Sequence, residues 1–101
     1  MTRNLHEVRD GFIVLENAEE LQSAAMVLAP GEASGPLSNE HGDSEQVLFV
    51  AEGELEAQVG ERKFQMRAGD SVIVPKNALH RFINRSASRA LTFNVYAPKA
   101  Y

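Results

Sequence analysis

Short apolar runs alternate with polar stretches rich in Gly, Pro, Asn and Asp along the chain, and no stretch makes a convincing helix. The run Phe12, Ile13, Val14, Leu15 is aromatic and β-branched and predicts a strand over 11–16. Residues 17–22 read either as a helical turn capped by Asn17 or as the loop before the next strand. Apolar residues 24–28 stop at Pro30-Gly31, and the Gly, Pro, Ser and Glu composition of 31–38 predicts a loop. Further strands are predicted over 46–52, 55–59, 62–67, 71–74, 79–84 and 90–96. Between them lie the bend at Gly53-Glu54, the hairpin tip at 59–61, the turn Ala68-Gly69-Asp70, the turn 75–77 and a polar loop at 85–89. Asn77 is predicted to take a left-handed backbone conformation. About eight short strands with turn signals at this spacing describe a β-sandwich or barrel, and the mixed alternation does not choose between the two.

Length and composition narrow the reading. The 101 residues suffice for one domain, expected over 11–101, with the polar residues 1–10 as an arm. The chain has no cysteine, so a bound metal must be held by His, carboxylate or amide groups. The N-terminus has no apolar leader and no stretch approaches a membrane span, so a cytoplasmic protein without a membrane partner is expected. Charge is uneven: 12 acidic and 2 basic residues precede Glu61, and 2 acidic and 8 basic follow from there. Arg62, Lys63, Arg67, Arg81, Arg85 and Arg89 would be the candidates for a nucleic-acid face. A pI of 5.3 and the lack of interleaved aromatics argue against it, and interleaving of the two halves in one fold accounts for the charges. No Ser-His-Asp order, P-loop or dinucleotide fingerprint occurs.

Two segments carry the chemistry. In the first, His41 lies two residues after Asn39, Gln46 five after His41, and Gly53 seven after Gln46. In the second, Gly69, Pro75, His80 and Asn84 stand at fixed intervals through residues 69–84. At these positions the chain resembles the cupin superfamily of small double-stranded β-helix (jelly-roll) barrels. The resemblance puts His41 at the second histidine of the family's first motif, Gln46 at its glutamate and Asn39 at its first histidine. Gly69, Pro75, His80 and Asn84 fall in place in the second motif, with Asn77 where the family has glycine. The opening glycine of the first motif is Ala33 here, with Gly31 and Gly35 on either side. The resemblance implies an all-β jelly-roll barrel, a homodimer, and a divalent metal (Zn, Fe, Ni, Mn or Cu) at His41, Gln46, His80 and the Asn39 position. Asn39 fits a supporting role better than direct ligation. Gln at the glutamate position also resembles some small metal-binding cupins, including ones that process unsaturated uronates, although those keep the first His.

Imidazole nitrogens and an amide oxygen are suitable donors for such metals, and a neutral set leaves the ion its full charge toward an anionic substrate. Leu48, Val50 and Phe82 share parity with Gln46 and His80 and are expected to line an apolar substrate pocket. Glu45 and Glu40 have the opposite parity and are expected to face out. Tyr96 and Tyr101 are candidates to cap the barrel mouth or a dimer seam. Phe12, Phe49, Phe64 and Phe93 are candidates for core or subunit contact, and His6 for a solvated bystander. The functional reading is a metal-dependent enzyme acting on a small oxygenated molecule of sugar-acid, keto or enol type. The alternatives are a non-catalytic small-molecule-binding module with a degenerate metal site and a chain whose pocket is vestigial.

Overall fold

Among the described residues, eight antiparallel strands build two sheets: β1 (Gly11–Asn17), β2 (Gln22–Leu28), β3 (Glu45–Glu52), β4 (Glu54–Val59), β5 (Arg62–Arg67), β6 (Ser71–Val74), β7 (His80–Ile83) and β8 (Ala90–Ala97). The computed structural model describes residues 1–39 and 42–101. The larger sheet has the order β1-β2-β8-β3-β6 and the smaller β5-β4-β7. Residues 31–38 run along the free edge of β7, where Ala33 bridges to Ile83 and Ser38 to His80. The chain is thus a jelly-roll barrel, and the segment before β3 serves as a fourth, irregular edge of the smaller sheet.

Alternation sets which side chains enter the barrel. Along β3, Gln46, Leu48 and Val50 are buried while Glu45, Val47 and Phe49 are exposed. Leu55, Ala57 and Val59 of β4 are buried in the same way. Apolar residues from β3, β4, β5 and β6 (Leu48, Val50, Leu55, Ala57, Val59, Met66 and Val74) pack into one cluster, bounded by Met26 and Phe82. This half of the barrel is filled.

The turns follow local chemistry. Residues 18–21 form a tight turn rather than a helix: Ala18 N–H donates to Leu21 O, and Gln22 Nε2 donates to Asn17 Oδ1 across it. Asn77 has φ 63°, the left-handed conformation that the family's glycine would otherwise supply. Gly53 has φ +81°, and a Cβ there would come within 2.5 Å of Arg89 O, so the bend between β3 and β4 requires glycine. Asn84, fully buried, donates to Leu28 O and Ser88 O and accepts from Ser86, which fixes the corner between β7 and β8.

Residues 1–10 are held against the larger sheet. Arg3 Nη1 donates to Leu15 O of β1, and the His6 ring, in the 3-10 turn Leu5–Glu7, lies 3.3 Å from Glu52 at the end of β3. The segment therefore crosses the outer face, where the outward-facing Ala25 and Leu91 are fully buried. Beyond it the face stays apolar. The register aligns Phe93 with Phe49, and Val95 with Val47 and Ile73, and Val47, Phe49 and Ile73 are exposed. Among the described residues no helix is long and apolar enough to cross a membrane.

Candidate functional site

The other half of the barrel is open. A cavity of about 270 Å³ lies between β1, β2, β8 and the β7 edge, lined by Phe12, Met26, Ser34, Gln46, His80, Phe82, Asn94, Tyr96 and Tyr101. Ser34, whose main-chain N–H donates to Phe82 O, is the smallest side chain of its wall.

Gln46 and His80 meet at this cavity, one from each sheet. His80 is buried on the inner face of β7, and its Nδ1 lies 3.0 Å from the carbonyl of Ala78. A carbonyl only accepts, so Nδ1 carries the proton and the lone pair of the neutral ring is on Nε2. Gln46 is 4 % exposed, and its Nε2 donates to Asn94 Oδ1 at 3.1 Å and to Tyr96 OH at 3.4 Å. Among the described residues its Oε1 is buried without a hydrogen-bond partner. A buried carbonyl oxygen left in this state is costly, and it is the kind of atom that a ligand or a cation satisfies.

The remaining expected site residues are placed differently. His41 and Glu40 lie outside the described residues. Asn39 is exposed and does not line the cavity. Phe82 lines it, whereas Leu48 and Val50 sit in the apolar cluster of the filled half. Their parity puts them inside the barrel as expected, but β3 faces β4 and β5 there, and neighbouring side chains occupy the space. Among the described residues no three His, Cys, Asp or Glu side chains gather as a metal-holding group. The donors that fit a divalent transition metal are therefore the Nε2 of His80 and the orphaned Oε1 of Gln46, an imidazole nitrogen and an amide oxygen of the required chemistry.

Three lining residues carry the mouth. Tyr101 packs against Phe12 with centroids 4.7 Å apart and the rings tilted by 51°, and meets Tyr96 edge-on at 5.2 Å. Its placement comes from the main chain. Gln22, 1 % exposed, accepts from Ala100 N–H and Tyr101 N–H through Oε1 and donates to Tyr101 O through Nε2. Ser44 Oγ donates to Pro98 O at 2.7 Å and pins the start of residues 98–101, a strap that follows β8. No described lining residue is Lys, Arg, Asp or Glu.

Sequence reasoning missed Asn94 and Thr92, which stand behind Gln46. A signal was present. In β8 the apolar Leu91, Phe93 and Val95 face outward, and Thr92, Asn94 and Tyr96 face inward, the reverse of the ordinary pattern. A strand with its polar side turned into a barrel marks a functional interior.

Comparison with known proteins agrees with the fold. The family model described as Cupin domain matches residues 24–96. No curated protein matches the chain. Among solved structures, BH2720 from Bacillus halodurans is similar with TM-score 0.88 at 23 % identity, over 96 % of this chain and 76 % of that one. TT1209 from Thermus thermophilus is similar with TM-score 0.83 at 27 % identity, over 95 % of each chain. A protein of Silicibacter pomeroyi described as a sugar phosphate isomerase from a cupin superfamily has TM-score 0.73 at 23 % identity, over 88 % of this chain and 60 % of that one.

Proposed function

The chain belongs to the cupin domain family, and from that premise we propose that it is a metal-dependent enzyme acting on a small oxygenated molecule of sugar-acid, keto or enol type. The observation that carries this reading is the buried, unpartnered Oε1 of Gln46 in the same cavity as His80. His41, Gln46 and His80 are the proposed ligands. A divalent transition metal held there supplies a Lewis acid for a carbonyl, enolate or carboxylate oxygen. The chain's own residues do the rest. Ala78 O fixes the imidazole of His80, while Met26, Phe82 and Tyr96 keep bulk water from the site. The described wall also narrows the substrate. A phosphate dianion finds no Lys or Arg among the described lining residues, so the sugar phosphate of the Silicibacter relative is a poor fit, and a carboxylate or enol a better one.

Metal analysis of untagged protein tests the proposal. Stoichiometric metal in the wild type that is lost in His41→Ala and His80→Ala is the expected result. Sub-stoichiometric metal in all three sinks it. A second reading, a non-catalytic binding module with a degenerate metal site, is favoured by the surface position of Asn39, where the family has a ligand. It predicts stabilisation by small molecules that persists in excess chelator.

The same reading takes residues 11–101 as one cytoplasmic barrel domain with residues 1–10 as its arm, and the chain as a homodimer. The outer rows Phe93–Phe49 and Val95–Val47–Ile73 of β8, β3 and β6 are apolar, and Val47, Phe49 and Ile73 are exposed, a surface that a second copy would cover. Light scattering is expected to give the dimer mass, with Val47→Asp giving the monomer. A wild-type monomer across micromolar concentrations refutes the dimer.

A further inference from the structure

The amide of Gln46 could face the cavity with either its oxygen or its nitrogen, and the two make different sites. The choice is made in β8 and, behind that, in the main chain of β2. Ala24 O and Met26 O point at the inner face of β8 and can only accept. Thr92 Oγ1 donates to Met26 O at 3.5 Å, and Asn94 Nδ2 donates to Ala24 O at 3.5 Å. With its proton committed, Thr92 Oγ1 accepts from Asn94 Nδ2 at 3.0 Å. Both Asn94 donors are then used, so its Oδ1 faces Gln46 and requires a donor. Gln46 supplies Nε2 at 3.1 Å, and Tyr96 OH, at 3.4 Å, lies on that same nitrogen side. Oε1 is the end of the amide left over for a ligand, and among the described residues it is buried without a partner.

We propose that Asn94 is a positioning residue that, together with Thr92, carries the polarity of two β2 carbonyls to Gln46 and fixes a neutral carbonyl oxygen as the group shown to the ligand. The inference rests on the reading of Gln46 as a site residue and deepens it. It also accounts for Gln rather than the family's Glu at this position. A carboxylate at 46 would set oxygen against Asn94 Oδ1, and turning Asn94 to relieve this would set the same oxygen against Ala24 O. Positions 46 and 94 are therefore coupled: an acidic group at 46 needs a donor facing it from 94.

Hydrogen exchange of the Gln46 side-chain amide, measured by NMR on metal-free protein, tests the positioning directly. The signal is assigned by its loss in Gln46→Met. Slow exchange is expected in the wild type, about fivefold faster exchange in Asn94→Leu, and about twofold faster in the isosteric Thr92→Val. Asn94→Asp keeps an acceptor facing Gln46 while setting its second oxygen against Ala24 O, so it is expected to be less stable yet to restore slow exchange in the folded protein, a rescue that loss of packing alone would not produce. Unchanged Gln46 exchange in whichever of Asn94→Leu and Thr92→Val folds overturns the proposal. Titration with cobalt(II) separates this from the metal reading. Affinity is expected to fall about tenfold in Asn94→Leu. A wild type that binds no cobalt but shows the exchange series removes the metal and leaves the positioning role standing.

Discussion

The filled and open halves of the barrel are made from the same strands by the same alternation, yet one is solid and the other hollow. Leu48 and Gln46 are two residues apart on one face of β3, and both are buried. Leu48 meets Val50, Leu55 and Met66 in a continuous apolar cluster, whereas Gln46 meets Asn94, Tyr96 and a cavity. Burial by itself therefore does not separate stability from function here. What separates them is the size and polarity of the partners arriving from the opposite sheet: Leu55, Val59 and Met66 on one side, Ser34 and His80 on the other.

Substitutions on each side should break this symmetry in different ways. Leu48→Ala removes packed atoms that nothing can replace and is expected to cost about 2–5 kcal/mol, read from urea unfolding, with metal stoichiometry unchanged. A loss under about 1 kcal/mol would mean that the filled half has slack of its own. Tyr101→Ala removes a larger side chain from the open half but is expected to cost only about 1 kcal/mol, because its ring is half exposed and its main chain is held by Gln22. The smallest effect lies outside both halves. Arg85 hydrogen-bonds Glu56 at 2.8 Å on the outer face of the smaller sheet and holds that carboxyl below its ordinary pKa. A lowered folded pKa contributes stability above the unfolded value and loses it as pH falls through the folded one. Glu56→Gln should therefore be slightly less stable than wild type near neutrality and equal to it in strong acid, as measured by urea midpoints across pH.

Much of the fold could be read in the sequence because it is written in turns. Pro30-Gly31, Gly53, Gly60, Gly69-Asp70 and Asn77 mark where strands end, and the observed strands end within a few residues of those marks. The outward orientation of Glu45 followed from parity alone. The order of strands in the sheets was not stated by any local signal, because it depends on which edges meet after the chain has turned. The cavity was legible where a spaced motif touched it, at Gln46, His80 and Phe82, and at Tyr96 and Tyr101 as candidate caps of its mouth. Phe12 on β1, Asn94 and Tyr96 on β8 and Tyr101 beyond it reach the same space from outside both motifs. Leu48 and Val50 show the complementary limit: parity assigns a side of the sheet and is silent on whether the space there is occupied.

The way Gln22 grips the last residues separates where the mouth is from what it is made of. Its bonds to residues 100 and 101 all go to main-chain atoms, so the path of the strap is indifferent to the side chain at 101. Position 101 is then an aperture that can be rewritten one residue at a time without relocating its frame. A barrel built this way can drift between ligands by single substitutions at the rim while the interior that holds it together is left alone.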